Sequence, residues 1–227
     1  MNRALFSGGM IISLLSVAPL CAAQSTGLAI AAIDDHKGVS LHNWRFDRLR
    51  DVGKKKIRER CKGVDFRKAE CRLLEVDGAP PDEKALERYA KSTSQPVEDN
   101  LPNIDPGEFV NSATLNVTER GDVFQSFSFD GAADSDDEYE EMGRQKGVMQ
   151  VHLDDGHIQS LRLKNSTVFK PATGIKIKKL EISIDFVRVD EAVFASSVSM
   201  VAEGKAFGLK SIGENQHFEF KNFTPPQ

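Results

Sequence analysis

Five histidines are the first residues to test for chemistry: His36, His42, His152, His157 and His217. His152 and His157 flank an expected turn, so they could share a metal ion. No third ligand stands near them in the sequence, and zinc asks for three or four. The pair reads as solvated, at two strand ends. His217 shares the polar face of the last expected strand with Glu219 and Lys221 and reads as surface. The acidic run from Asp134 to Glu141 lacks the Asp-x-Asp-x-Asp-Gly order that bends a calcium loop, and reads as a solvated loop. His-Glu-x-x-His, Gly-x-Ser-x-Gly, Gly-x-Gly-x-x-Gly and P-loop patterns are all missing. The expectation is a non-enzymatic chain with no catalytic residue, no metal and no cofactor. Lys54-Lys55-Lys56 and Lys176, Lys178, Lys179 are small basic clusters without interleaved aromatics, so single-strand nucleic-acid binding is weakly supported. The net charge of -4 argues against general binding to nucleic acid or anionic lipid.

Three cysteines bear on the compartment. Arg3, an apolar stretch from about Ala4 to Leu20, and Cys21-Ala22-Ala23 have the order of a secretory leader, cleaved between Ala23 and Gln24. The stretch is short and broken by glycine, so no transmembrane segment is expected in the mature chain. Two other readings are a lipid on Cys21, although Leu20 stands where a small residue is wanted, and a buried N-terminal helix. An exported chain meets an oxidising compartment, where Cys61 and Cys71 would form a disulfide. Lys62-Gly63-Val64-Asp65 between them looks like a hairpin connection.

Hydrophobic periodicity supplies the elements. Gln24 to about Lys37 reads as part of a loosely held lead-in over residues 24–43. Trp44 to Arg48, Ile57 to Cys61 and Cys71 to Val76 read as strands. Asp82 caps a helix whose face is Ala85, Leu86, Tyr89 and Ala90. Residues 92–107, with Pro96, Pro102 and Pro106, read as a linker. From Glu108 onward the period is 2. Phe109, Ala113, Leu115 and Val117 share one face, then Val123, Phe127 and Phe129, then Met149, Val151 and Leu153, then Leu161 and Leu163. Leu180, Ile182, Ile184 and Phe186 form the clearest stripe, followed by Val198 with Met200 and by Phe218 with Phe220. Turns are expected at Asp155-Gly156, Pro171 to Gly174, Asp190-Glu191 and Gly213-Glu214. The fold class is mainly β (α+β): a long antiparallel meander with one apolar face, covered by one helix and a few loops.

Three stretches carry a resemblance. Cys71-Arg72-Leu73-Leu74-Glu75-Val76-Asp77-Gly78 is followed by Pro81 and the helix ending near Tyr89. Ile158 to Asn165 is followed by Phe169, Pro171, Gly174, Lys176 and Ile177. Gly204-Lys205-Ala206-Phe207 leads into a Phe-rich strand ending at Phe223. In this order they resemble an uncharacterised family of Gram-negative periplasmic proteins, whose fold is similar to the lipoprotein-localisation carriers and related stress-sensor regulators. An aromatic residue often stands in that family where Cys71 is here, as though a disulfide replaced a plug. The resemblance implies a curved half-barrel over residues 44–227, helices on its concave side, and acyl chains or partners entering between them. It carries over no catalytic residue. The candidate ligand-binding residues are Phe127, Phe129, Leu161, Leu163, Leu180, Ile182, Ile184, Phe186 and Met200. The expected function is a periplasmic carrier or sensor of a lipid or acyl chain. The competing reading is an envelope interaction module whose apolar face is closed core and which binds a partner protein.

Overall fold

The computed structural model describes residues 18–37, 39–52, 55–93, 96–97, 100–132, 145–170, 173–207 and 210–226. Residues 1–17 of the expected leader and the acidic run from Asp134 to Glu141 lie outside them.

Alternating side chains give ten strands: β1 Arg45–Val52, β2 Lys55–Asp65, β3 Lys68–Val76, β4 Asn116–Arg120, β5 Phe124–Asp130, β6 Gln145–His152, β7 Ile158–Asn165, β8 Ile175–Val189, β9 Ala192–Ala206 and β10 Lys210–Thr224. They form one antiparallel sheet in the order β3-β2-β1-β10-β9-β8-β7-β6-β5-β4. The chain meanders from β4 to β10, and the N-terminal hairpins then join at β1–β10. The edges β3 and β4 do not pair, so the sheet is an open, curved half-barrel.

Register explains why one face is apolar. Phe127, Met149, Leu161, Ile184, Val198 and Phe218 stand opposite one another in a single row across six strands. A second row runs Phe129, Gly147, Leu163, Ile182, Met200. The Phe129 ring lies over Gly147, where a Cβ would come within 2.1 Å of it, so only glycine fits opposite. Cys61 and Cys71 face each other across β2–β3 with Cα atoms 4.0 Å apart and are joined as a disulfide. Lys62 to Asp65 continue β2, and the chain reverses at Phe66-Arg67 instead.

The cover over this face differs from the expected one. The presumed lead-in is a helix, α1 Ala18–His36, whose Ala29, Ala32, Ile33 and His36 are buried on the sheet. Their i, i+3, i+4, i+7 spacing is that of one helical face. The helix is anchored at its end by Asp35 to Arg188, 2.7 Å. Cleavage after Ala23 would leave that whole face on the mature chain. The second helix, α2 Glu83–Ser92, begins at Asp82, whose side chain accepts from the Ala85 N–H as expected. It buries no residue, however, and Leu86 on its apolar side is exposed. It lies against β3 at the sheet's end and is not the cover.

The expected linker does cover the concave face. Residues 100–115 cross it as a strap, with Leu101, Val110 and Leu115 buried. Asp105 and Asn111 cap short 3-10 turns at Pro106–Glu108 and Ser112–Thr114. These caps replace the strand expected around Phe109 and Ala113, leaving only Val117 in β4. Val123 and Leu153 sit exposed at hairpin ends. Asp190-Glu191 is a two-residue connection with Asp190 at φ 54°. Gly213 and Glu214 are not a turn: they lie within β10, opposite Glu203 and Ala202.

Candidate functional site

The strap and the sheet do not close completely. Between residues 100–109 and the concave side of β8, β9 and β10 lies a cleft of about 320 Å³. Its floor is Ile182, Ile184, Val198, Met200, Phe218 and Phe220. Leu101, Ile104 and Phe109 form its roof, and Arg67, Asn103, Glu108 and Gln216 its rim. Arg67 and Glu108 pair across the mouth at 2.7 Å.

Hydrogen bonds fix the strap at several points. The Asn103 amide donates to the carbonyls of Phe66 (2.7 Å) and Val39 (3.3 Å). The Ala195 N–H donates to Pro102 at 2.7 Å, and Arg48 to the Asn100 carbonyl at 3.2 Å. The cleft is therefore walled by anchored backbone rather than by a free loop.

Of the nine residues proposed from sequence, Ile182, Ile184 and Met200 line this cleft. Phe127, Phe129, Leu161, Leu163 and Phe186 share their face but are buried in the continuous core. Leu180 is half-buried and does not line the cleft. Val198, Phe218 and Phe220 were legible as apolar strand positions but not as site residues. The strap's contribution had no local signal, because its prolines read as a linker.

Beside the cleft, the apolar rows give way to charge. Glu59 is fully buried and pairs with Arg48 (2.8 Å) and Arg50 (2.9 Å). The Tyr89 hydroxyl of α2 donates to the same carboxylate at 2.8 Å. Burial, reinforced by the Glu59 charge, raises the Tyr89 hydroxyl well above the ordinary tyrosine range. With both carboxylate oxygens engaged, the cluster ties α2 to β1 and β2 and has no free base to offer a substrate.

The histidines gather more closely than expected. His152 and His157 stack at 5.6 Å, and both approach Asp155, at 3.3 and 2.6 Å. His157 is buried, not solvated. His36 on α1 packs edge-on against Phe186, ring centroids 4.8 Å apart. Burial lowers its pKa to about 4, with His157 and Arg188 adding to the effect and Asp35 opposing it. Among the described residues no three His, Cys, Asp or Glu side chains are arranged to hold a metal ion. No protein-family model, curated protein or solved structure matches this chain.

Proposed function

We propose that the protein binds one apolar chain, of acyl type, in the cleft between the strap and β8–β10, and performs no chemistry on it. The observation that carries this reading is the floor: Ile182, Val198 and Met200 are only partly covered, although they lie on the face that elsewhere forms the core. At about 320 Å³ the space stands at the low end for small-molecule sites, which suits a single chain better than a multi-chain lipid. Arg67, Asn103 and Gln216 at the rim would meet a polar headgroup. The Cys61–Cys71 disulfide supports an exported, periplasmic location, with the leader removed after Ala23.

A second reading is an envelope interaction module with a closed core. It is favoured by the depth of burial of Phe127, Leu161 and their neighbours, which leaves most of the concave face sealed. Titration of a fluorescent fatty acid separates the two. The carrier reading expects saturable binding that Val198→Trp abolishes by filling the cleft, and a co-purifying acyl species in native mass spectra of periplasmic material. No saturable binding to the parent protein, together with a clean native mass, would leave the interaction module.

A further inference from the structure

The strand ends farthest from α1 take no part in the cleft. Pairing of β7 with β8 stops at Lys164–Glu181, and pairing of β1 with β10 stops at Gln216. Beyond those levels β8, β9 and β10 continue as a three-stranded tongue, flanked among the described residues by the bridge from Phe169 to Ile177. Asn165 stiffens its base, donating to the Lys178 carbonyl (3.1 Å) and accepting from the Leu180 N–H (2.7 Å).

The tongue is basic. Residues 166–178 and 204–213 contain Lys170, Lys176, Lys178, Lys205 and Lys210, and no Asp or Glu. All five lysines are exposed, and none has an ion-pair partner among the described residues. The nearest acids along the strands are Glu181 and Glu203, which both face Lys179, and Glu214 on β10, opposite Ala202. Lys176 and Lys205 stand directly opposite each other, and like charges opposed across strands are unfavourable. A chain of net charge -4 thus collects an excess of cations at one end.

An aromatic ring sits among them. Phe207, just after β9, is 78% exposed, the most exposed of the large apolar residues described. Its φ of 49° places it in the left-handed region, which is unfavourable for a bulky residue. Its N–H donates to the Gly174 carbonyl. Its ring lies against Gly174, where a Cβ would come within 2.6 Å of it. Lysines bound a solvent-exposed ring held on strained backbone. That combination suits a membrane interface, where aromatic rings settle at headgroup depth and each nearby lysine gains from anionic lipid.

We infer that the tongue docks on a bilayer surface bearing anionic phospholipid, with Phe207 entering the headgroup boundary and the five lysines meeting the phosphates. An acidic protein would satisfy the lysines but would leave the strained, exposed ring without a role. The inference stands whether or not the cleft holds a ligand.

The test is co-sedimentation of the full chain, disulfide intact, with vesicles of equimolar phosphatidylcholine and phosphatidylglycerol, against phosphatidylcholine alone. Binding should require phosphatidylglycerol and weaken as salt is raised. Lys176→Gln with Lys205→Gln should weaken it about 25-fold, roughly fivefold per lysine. Phe207→Asn should weaken it about tenfold or more while leaving the fold as stable or more so, because asparagine accepts a positive φ. Phe207→Trp should show a blue-shifted emission with the mixed vesicles only. The proposal is overturned if the parent stays in the supernatant with the mixed vesicles, or if pure phosphatidylcholine binds equally well. Unchanged vesicle binding of Phe207→Asn, with heparin binding lost in the lysine variant, would make the tongue a polyanion site and overturn it as well.

Discussion

Ile184→Ala and Leu161→Ala form a matched pair that tests where the core ends. The two side chains are direct cross-strand partners on β7 and β8, with Ile184 1% and Leu161 0% exposed. Accessible surface alone says they should cost the same. Their surroundings differ: Leu161 is packed on all sides within the core, whereas Ile184 also floors the cleft. Truncating a buried Leu or Ile to Ala costs about 2–5 kcal/mol, and the spread follows the cavity that remains. At Leu161 the void is enclosed, which places the cost near about 4 kcal/mol. At Ile184 the lost volume merges with existing open space, and about 2–3 kcal/mol is expected. For a chain of this length each kcal/mol shifts Tm by about 2–4 °C. Urea unfolding followed by Trp44 fluorescence would read both, since this tryptophan is buried against Phe194 at 4.8 Å. The fluorescent fatty acid should bind Ile184→Ala with altered affinity and Leu161→Ala as it binds the parent. Equal costs near 4 kcal/mol, with neither variant changing probe binding, would refute the cleft as a distinct environment and with it the carrier reading.

Three further outcomes are expected. Alkylation without reductant should leave Cys61 and Cys71 unlabelled, and Cys61→Ser with Cys71→Ser should lower stability by about 2–3 kcal/mol, the value for a loop of this separation; two labelled thiols would refute the bridge. Glu59→Gln should cost about 3–5 kcal/mol, because Arg48 is left buried without its counter-charge; a loss below about 1 kcal/mol in urea unfolding would show that water reaches the cluster. His36 is neutral in the fold with a pKa of about 4 against 6.5 unfolded, so the unfolded state binds more protons between those values. Stability should therefore fall as pH drops from 6.5 toward about 4, by on the order of 3 kcal/mol. His36→Phe should remove that part of the pH dependence while keeping the edge contact to Phe186. An unchanged slope of unfolding free energy against pH would show that His36 is not the group responsible.

Strand alternation is a local property, so the apolar face was legible residue by residue. Leu180 to Phe186 read as one stripe, and so did Phe127 with Phe129 and Phe218 with Phe220. The cysteine pair was equally legible, because ten residues and one reversal bring two strand positions opposite each other. What covers that face was decided by tertiary packing. The Ala-rich stretch before His36 reads as a lead-in and folds as helix, since alanine favours helix without marking a face. Only the sheet beneath selects Ala29, Ala32, Ile33 and His36. The 100–115 strap is held by a few side-chain and backbone bonds to partners dozens of residues away, such as Asn103 to Phe66, and its prolines conceal this. Conversely, α2 carries a well-formed cap and an apolar side yet does not cover the apolar rows, because the Glu59 cluster holds Tyr89 at the sheet's end. The basic tongue shows the same division. Its lysines are plain in the sequence, but Lys176 and Lys178 show no aromatic partner there because Phe207 lies some thirty residues on, and only the β8–β9 pairing sets it on Gly174. Periodicity tells which residues need covering; chain entropy and long-range contact decide what covers them.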